Sequence, residues 1–344
     1  MPLLFPLLLS LSLAARALAD QNCSTVRPDS ILLKADLAHG AEMLQNNEFK
    51  YSKRTYTYKT VGNLEIKADV YRHPSKEPRP AIMYIHGGAL IGGTSTGAPP
   101  QAQLNRYMKA GYNVVSINYR LAPETKLAAI IEDIEDAYAW TRAKGPKLLN
   151  IDPDRIAVMG NSAGGYLTLM AGFRFNPRPK ALVSFYGYGD ITGAWYSKPS
   201  PFYNQQPSVS ENEAFKAVRG PAISESLSPE RGNFDLYCRQ RGLWPNQVTG
   251  HDPEKERDWF FRYEPRRNVT QAYPPTMLLH GEKDTDVPFE QSVLMAEALN
   301  NNKVYYEFVS QPDWEHGFDF GSKEDPRVDA AIERIVTFLR KYVH

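Results

Sequence analysis

The sequence predicts an α/β fold in which a mostly parallel β-sheet carries helices on both faces. Two observations support this fold class: short apolar runs recur along the chain, and amphipathic segments separate them. Uninterrupted apolar runs are typical of strands buried on both faces, and apolar residues three and four positions apart form one side of a helix. Alternation of the two elements favours parallel strands joined by crossover helices. The apolar runs are residues 81–85, 114–117, 156–159, 181–185 and 277–279.

The remaining elements follow in chain order. Residues 53–72 alternate polar and apolar side chains on either side of a Val-Gly-Asn turn, which predicts a hairpin with one solvated face. Residues 127–138 and 328–342 have helical spacing. Residues 188–272 interrupt the alternation with prolines, polar residues and scattered aromatic residues. We expect them to form an insertion over the carboxyl edge of the sheet, where open α/β folds bind ligands.

Length and composition limit the domain organisation and the partners. A chain of 344 residues, 42% of them hydrophobic, is long enough for a large core with an insertion. The predicted parts are a signal peptide (1–19), a core in two segments (20–187 and 273–344) and a cap (188–272). Lys and Arg number 40 against 39 Asp and Glu, so the chain has no excess of positive charge for a polyanion. Nucleic acid is therefore not an expected partner.

The amino terminus resembles a secretory signal. Residues 3–13 are apolar apart from one proline and two serines, and this run is too short to span a bilayer. Ala17 and Ala19 have the spacing that signal peptidase accepts, which predicts cleavage after Ala19 and secretion to the extracellular space. Because no basic residue precedes the apolar run, an uncleaved anchor or a buried helix is the alternative. No later segment has eighteen uninterrupted apolar residues, so no stable membrane anchor is predicted.

Secretion affects the interpretation of the two cysteines and of two glycosylation motifs. In an oxidising compartment Cys23 and Cys238 are candidates for a disulfide, and two buried thiols are an equal alternative. Asn22 and Asn268 each begin an Asn-x-Ser/Thr sequon. The sequence therefore predicts N-glycosylation at both asparagines.

The segment 160–164 contains the strongest chemical signal, the pattern Gly-x-Ser-x-Gly between an apolar strand and a helical segment. Glycines on either side allow a sharp strand-to-helix turn that exposes the hydroxyl of Ser162. Ser162 is the predicted nucleophile. The alternative is a glycine-rich turn that contains an incidental serine.

A serine nucleophile needs a base and a carboxylate that orients the base. His316 lies in a loop between the last predicted strand and the last helix, and it is the candidate base. Asp284 and Asp286 both follow the strand predicted at residues 275–281. Asp284 is preferred, because the Val-Pro pair that follows Asp286 is expected to turn the chain and leave Asp286 as a loop or helix-capping residue. The order Ser, Asp, His is one that α/β enzymes use.

Donors for an oxyanion are predicted from the loop after the strand 81–85. Backbone amides at Gly87, Gly88 and Ala89 can point toward the amide of Ala163 at the start of the helix. These glycines lack the ending of a P-loop and the spacing of a dinucleotide site, so a phosphate cradle is disfavoured. No cluster of histidines, cysteines and carboxylates has metal-ligand spacing. The sequence predicts neither a cofactor nor a metal.

Together these segments resemble the hormone-sensitive-lipase-like esterases of the α/β-hydrolase superfamily. The resemblance extends from about residue 51 to the carboxyl terminus, apart from the insertion. It rests on His86-Gly87-Gly88, Tyr119-Arg120-Leu121-Ala122-Pro123-Glu124, Gly160 to Gly164, His280-Gly281-x-x-Asp284-x-x-Val287-Pro288 and His316-Gly317. It implies an eight-stranded sheet, a Ser162-His316-Asp284 triad and a cap over the acyl pocket.

Two departures from that group matter. Ala89 stands where the group often has a third glycine, and the usual amino-terminal cap helices are not evident in residues 20–50. The insertion 188–272 is therefore expected to cover the pocket. Because this cap differs from that of the group, the resemblance does not predict which substrates this chain prefers.

The predicted function is hydrolysis of small carboxylic esters through an acyl-enzyme. The alternatives are a peptidase or amidase on the same fold, and a natural-product tailoring enzyme or a non-hydrolytic binding protein. The sequence leaves the acyl group, the alcohol and the oligomeric state open.

Overall fold

The computed structural model describes residues 50–320 and 325–343. The predicted signal peptide, the sequon at Asn22 and the cysteine at position 23 lie outside these residues. Within them, no helix is long and apolar enough to cross a bilayer.

Eight strands form one sheet in the order β1-β2-β4-β3-β5-β6-β7-β8. β1 pairs with β2 and β2 with β4 in antiparallel fashion, and all other neighbours are parallel. The predicted mostly parallel sheet of eight strands is confirmed. The strands are β1 (Ser52–Val61), β2 (Leu64–Arg72), β3 (Arg79–Ile85), β4 (Asn113–Ile117), β5 (Ile151–Asn161), β6 (Ala181–Phe185), β7 (Thr276–Gly281) and β8 (Tyr306–Gln311).

Helices connect the parallel strands and cover both faces of the sheet. The predicted helical segments 127–138 and 328–342 lie within α2 and α10. The helices are α1 (Gln101–Lys109), α2 (Leu127–Lys144), α3 (Ala163–Arg174), α4 (Ala194–Ser197), α5 (Glu211–Phe215), α6 (Pro229–Arg241), α7 (Trp244–Thr249), α8 (Arg257–Phe261), α9 (Glu290–Asn301) and α10 (Pro326–Tyr342).

The core consists of two apolar layers, one on each face of the sheet. In β3 the side chains of Met83 and Ile85 belong to one layer, and those of Ile82 and Tyr84 belong to the other. All four are fully buried. Burial of such a side chain contributes about 1.5–3 kcal/mol, which explains why these strands are continuously apolar in sequence.

The insertion 188–272 lies between β6 and β7 and contains α4 to α8. It contacts the loops that follow β3 and β7. Gly93 and Ser226 exchange backbone hydrogen bonds, and Arg239 binds Asp286. Both loops leave the carboxyl edge of the sheet, so the insertion lies beside the predicted site.

Candidate active site

Ser162 occupies a tight turn between β5 and α3. Its backbone angles are φ 55° and ψ −122°. A positive φ is unfavourable for a residue with a Cβ, at a cost of about 1–3 kcal/mol, and it persists only where the surroundings hold it. Here the Ser162 amide donates to Phe185 O at 2.9 Å, and the Tyr166 amide donates to Ser162 O at 3.0 Å. The strand, turn and helix therefore follow the predicted order.

Two glycines allow the turn to pack against the end of β3. A Cβ on Gly160 would lie 2.4 Å from Gly164 O, and a Cβ on Gly164 would lie 2.0 Å from Ile85 O. Real Cβ atoms do not approach backbone oxygens this closely. The glycines of the Gly-x-Ser-x-Gly pattern are therefore required by the close contact between backbone segments as well as by the geometry of the turn.

The structure brings together the three side chains that the sequence selected. His316 Nε2 lies 3.0 Å from Ser162 Oγ, and His316 Nδ1 lies 2.7 Å from Asp284 Oδ2. Asp284 follows β7 and its side chain is fully buried. Its Oδ1 accepts hydrogen bonds from the amides of Asp286 and Val287 at 2.9 and 2.8 Å, which fixes the carboxylate.

Asp286 lies at the other nitrogen of the imidazole. Its Oδ2 is 3.4 Å from His316 Nε2, so it is not in the position of the group that orients Nδ1. Nor does it cap a helix, because the residue preceding α9 is Phe289. Asp286 is a loop residue whose carboxylate pairs with Arg239, a partner that the sequence did not reveal.

A second histidine, His280, contacts the buried carboxylate. Its Nε2 lies 3.2 Å from Asp284 Oδ2 and 3.0 Å from Val287 O, and its Nδ1 lies 2.7 Å from Ser292 Oγ. With Nε2 protonated, His280 donates to Asp284 and Val287 while it accepts from Ser292. The sequence placed His280 in a motif but assigned it no contact with the site. Its position four residues before Asp284, at the end of β7, was the available signal.

Electrostatics favour a charged acid beside a basic imidazole. Burial raises the pKa of Asp284, but the hydrogen bonds from His280 and His316 lower it by more than burial raises it. The pKa of Asp284 is therefore well below its ordinary range. Burial lowers the pKa of His316, but the hydrogen bond to Asp284 and the charges of Asp286 and Asp284 raise it above its ordinary value. The pair is therefore suited to receive a proton from the Ser162 hydroxyl.

The loop after β3 turns beside the serine. Gly88, Ala89 and Leu90 have φ values of 107°, 55° and 63°. Amides of Ile91 and Gly92 close the turn by donating to Gly88 O at 2.8 and 2.9 Å.

Gly87 and Gly88 allow the loop to approach both the serine and itself. A Cβ on Gly87 would lie 3.1 Å from Ser162 Cβ, and one on Gly88 would lie 2.3 Å from Gly92 O. Within residues 50–320 and 325–343, no hydrogen bond to a protein acceptor is found for the amides of Gly88, Ala89 or Ala163. These three amides belong to the predicted set of oxyanion donors, which also includes the amide of Gly87.

The insertion holds this loop through two side chains. Trp244 Nε1 donates to Ala89 O at 3.1 Å, and Arg231 Nε donates to Ile91 O at 2.7 Å. Arg231 also forms a bidentate ion pair with Glu124, at 2.7 and 2.8 Å, with both side chains almost fully buried. Glu124 belongs to the Tyr119–Glu124 segment of the family resemblance, and its partner was not evident in the sequence.

The insertion also holds the loop that carries Asp284. Arg239 Nη1 donates to Asp286 Oδ1 at 2.7 Å, and Nη2 donates to Asp286 O at 2.8 Å. The guanidinium lies 4.7 Å from the ring centre of Tyr196 and 4.6 Å from that of Tyr203, and the side chain is 2% exposed. Aromatic faces attract a cation at this distance, so the arginine is fixed on several sides.

Three sequence predictions concern residues outside this cluster. Asn268 Nδ2 donates to Phe261 O and Glu264 O at 2.7 and 2.8 Å, so the nitrogen that a glycan would occupy is engaged in the folded chain. Cys238 is a buried thiol of α6, and burial raises its pKa; its predicted partner lies outside the described residues. The described residues contain no group of three or more His, Cys, Asp and Glu able to hold a metal ion.

With this geometry established, comparison with known proteins identifies the family. Residues 68–299, more than half of the chain, match the BD-FAE family. The chain belongs to this family. Residues 261–343 also match the dienelactone hydrolase family, and both matches agree with the predicted esterase group of the α/β-hydrolases.

Two curated relatives align over most of this chain. The non-reducing polyketide synthase pkbA of Emericella nidulans is 29% identical over 361 aligned positions, covering 87% of this chain and 14% of the synthase. Esterase LipC of Mycobacterium tuberculosis is 30% identical over 274 positions, covering 76% of this chain and 60% of LipC. The chain thus spans only part of the length of each relative.

Solved structures share the fold. An α/β-hydrolase superfamily protein from Enterococcus faecalis aligns with a TM-score of 0.64 and 22% identity, over 85% of this chain and all of that one. Esterase 2 of Thermogutta terrifontis, phosphoramylated by tabun, aligns with a TM-score of 0.60 and 21% identity, over 84% and 94% of the two chains. The predicted α/β-hydrolase fold is confirmed.

Proposed function

We propose that this protein is a serine hydrolase that cleaves carboxylic esters through an acyl-enzyme. The observation that carries the proposal is the unbroken series of contacts from Ser162 Oγ through the two nitrogens of His316 to Asp284, at 3.0 and 2.7 Å. A hydroxyl is a poor nucleophile without a base within hydrogen-bond distance, and this geometry supplies one.

In the first half of the reaction, His316 Nε2 takes the proton of Ser162 as Oγ attacks the ester carbonyl carbon. Asp284 stabilises the imidazolium that forms. The ester C–O bond then breaks, the proton on Nε2 passes to the departing oxygen, and the alcohol leaves. In the second half, water attacks the acyl-enzyme with the same histidine as base, which releases the acid and restores Ser162.

The negative charge that develops on the carbonyl oxygen would be received by the amides of Gly88, Ala89 and Ala163. Ala163 is the first residue of α3, so its amide also benefits from the positive end of the helix dipole. One such donor contributes roughly a hundred- to a thousand-fold to kcat.

The test is hydrolysis of short p-nitrophenyl esters by the wild type and Ser162→Ala. We expect kcat to fall on the order of 10⁴-fold or more in the variant. Ser208→Ala, which removes a solvent-exposed hydroxyl from the insertion, is the matched control and should keep wild-type activity. An organophosphonate should add one adduct mass to the wild type and none to Ser162→Ala.

The same assay separates the esterase proposal from its rivals. Turnover of p-nitroanilides with negligible ester hydrolysis would favour a peptidase or amidase. A folded protein that neither hydrolyses these esters nor reacts with the phosphonate would favour a binding protein.

Similarity to a segment of polyketide synthases favours a second candidate, hydrolysis of acyl thioesters. The leaving group would then be a thiol in place of an alcohol, and Ser162 and His316 would keep their roles. Comparison of kcat/KM for acetyl-N-acetylcysteamine and ethyl acetate distinguishes the two, and a clear preference for the thioester would support the second candidate.

We also propose that the protein is secreted, on the basis of the apolar run and small residues within positions 1–19. Expression of the full chain in eukaryotic cells should yield protein in the medium that begins at Asp20. Recovery only from the membrane fraction, with residues 1–19 retained, would support the anchor instead.

A further inference from the structure

We propose that a groove between the insertion and the loop carrying Asp284 binds the alcohol portion of the ester, and that this alcohol is an uncharged flat ring with a hydroxyl group at its edge. The inference rests on the proposed esterase function and specifies its substrate class. The groove has a volume of about 340 Å³. Its walls include Trp195, Phe202, Arg239, Thr285, Asp286 and Pro288.

The position of the groove relative to His316 favours the alcohol over the acyl group. Asp286 lines the groove, and its Oδ2 lies 3.4 Å from His316 Nε2. Nε2 is the atom that passes a proton to the departing oxygen. A leaving group held by Nε2 therefore has the groove directly beside it, whereas the proposed oxyanion donors belong to the loop after β3 and to α3.

The walls of the groove favour a flat ring. Trp195, Phe202 and Pro288 present ring surfaces, and Phe202 is 41% exposed, so much of its apolar surface has no protein neighbour. Aromatic rings and prolines pack against the flat face of a ligand ring. The volume lies at the lower end of the roughly 300–1,000 Å³ typical of ligand pockets, which suits a single ring better than a long chain.

The polar wall favours a neutral hydrogen-bond donor. Asp286 Oδ1 and its carbonyl oxygen accept from Arg239, and Tyr203 also interacts with the carboxylate. The 3.4 Å between Oδ2 and His316 Nε2 exceeds an ordinary hydrogen bond, and a carboxylate has about four lone-pair sites. Oδ2 can therefore accept from a ligand hydroxyl. The guanidinium of Arg239 offsets the carboxylate charge, which disfavours a cationic alcohol.

The first experiment compares acetate esters that share one acyl-enzyme and differ only in the alcohol: phenyl acetate, 3-hydroxyphenyl acetate, ethyl acetate and acetylcholine. We expect kcat/KM for 3-hydroxyphenyl acetate to exceed that for phenyl acetate by about tenfold, the size of a hydrogen bond to a charged group. Asp286→Asn should reduce this ratio several-fold. Because the ratio is taken within one variant, any general change in the basicity of His316 cancels.

Phe202→Ala should lower the ratio of phenyl acetate to ethyl acetate by about tenfold through lost ring contact. Leu148→Ala is the matched control, since Leu148 is 46% exposed and precedes β5 at the opposite edge of the sheet. The Leu148→Ala ratios should equal those of the wild type.

In these kinetic assays, three outcomes would overturn the inference. The first is that neither ratio changes in Asp286→Asn or Phe202→Ala. The second is that Phe202→Ala impairs ethyl benzoate and not phenyl acetate, which would assign the groove to the acyl group. The third is that acetylcholine is the preferred acetate, which would show that the carboxylate selects a cation.

A binding measurement separates this inference from the esterase proposal. Calorimetric titration of Ser162→Ala with resorcinol requires no turnover. We expect binding that is weakened at least tenfold by adding Phe202→Ala or Asp286→Asn. Absence of resorcinol binding overturns the groove assignment even if esters are hydrolysed, and binding without any ester turnover retains the groove while the esterase proposal fails.

Discussion

The sheet and the insertion stabilise the candidate site in different ways. The sheet is held by buried apolar layers, and it determines where the loops that carry Ser162, Asp284 and His316 leave its edge. The insertion shares one of these apolar layers through buried side chains such as Phe234 and Val248, and in addition it holds the loops at the same edge through directional polar contacts from Arg231, Arg239 and Trp244. The difference indicates that the sheet sets the positions of the loops and the insertion sets their conformations.

The largest expected effect comes from the buried pair between the two regions. Arg231→Leu leaves the Glu124 carboxylate buried without its partner, and we expect a loss of about 3–5 kcal/mol in the free energy of unfolding, measured in urea. Replacing both residues, with Arg231→Leu and Glu124→Leu, should recover only the part of the loss that comes from the unpaired carboxylate, because Ile91 O and Ala122 O still lose the donor that Arg231 supplies. Activity should stay low in the double variant, because Ile91 O still lacks its donor. A stable double variant with full activity would contradict the idea that the insertion positions the loop.

A smaller effect is expected from close packing in the sheet region. Gly164→Ala places a Cβ 2.0 Å from Ile85 O, and we expect about 1–3 kcal/mol of destabilisation and roughly a hundred-fold lower kcat as Ser162 shifts.

The insertion supplies the matched glycine for this test. Gly232 lies in α6 with nothing within 4 Å of an added Cβ. Gly232→Ala should be neutral or stabilising by about 0.5–1 kcal/mol. Thermal unfolding and esterase assays check both, and equal effects of the two substitutions would remove the distinction between the regions.

Removal of a single hydrogen bond, from Trp244 to Ala89 O, tests whether the insertion positions the loop after β3. Trp244→Phe keeps a ring against Tyr196, whose ring centre lies 4.0 Å away, but it removes the donor to Ala89 O. We expect about 1 kcal/mol of destabilisation and about a tenfold lower kcat with little change in KM. Trp140→Phe, a half-buried tryptophan packed against Tyr56, is the control. A change confined to KM would indicate a binding role in place of loop positioning.

The smallest effect is a displacement of the pH profile. Catalysis requires the neutral form of His316, so kcat/KM rises as the pH passes above the pKa of this histidine. Burial lowers that pKa, but Asp284, Asp286 and Asp319 together raise it above the ordinary value. Asp286→Asn removes one raising charge, and the acid limb should move to lower pH.

The exposed residue Asp258, in α8, provides the control for the pH profile. Asp258→Asn should leave the acid limb where it is. A limb that stays in place in Asp286→Asn, or moves to higher pH, would show that Asp286 does not act on His316.

Much of the fold was predictable because its signals are local. The apolar run of β3 reflects burial on both faces, and the Gly-x-Ser-x-Gly pattern reflects a turn whose backbone approaches admit no Cβ. His316 and Asp284 could be selected as well, because each follows a recognisable strand. Their proximity was expected from the rule that the carboxyl ends of parallel strands meet at one edge of the sheet.

The sequence by itself determined the sheet, the elbow and the candidate nucleophile, base and acid, since each depends on steric and burial patterns within a few residues. Tertiary structure decided the partners of the insertion. Trp244 and Ala89 are 155 residues apart, Arg231 and Glu124 are 107 apart, and Arg239 and Asp286 are 47 apart. An indole or a guanidinium can donate to any oxygen that lies at hydrogen-bond distance. The residues next to it in the sequence therefore do not indicate which oxygen the folded backbone places there.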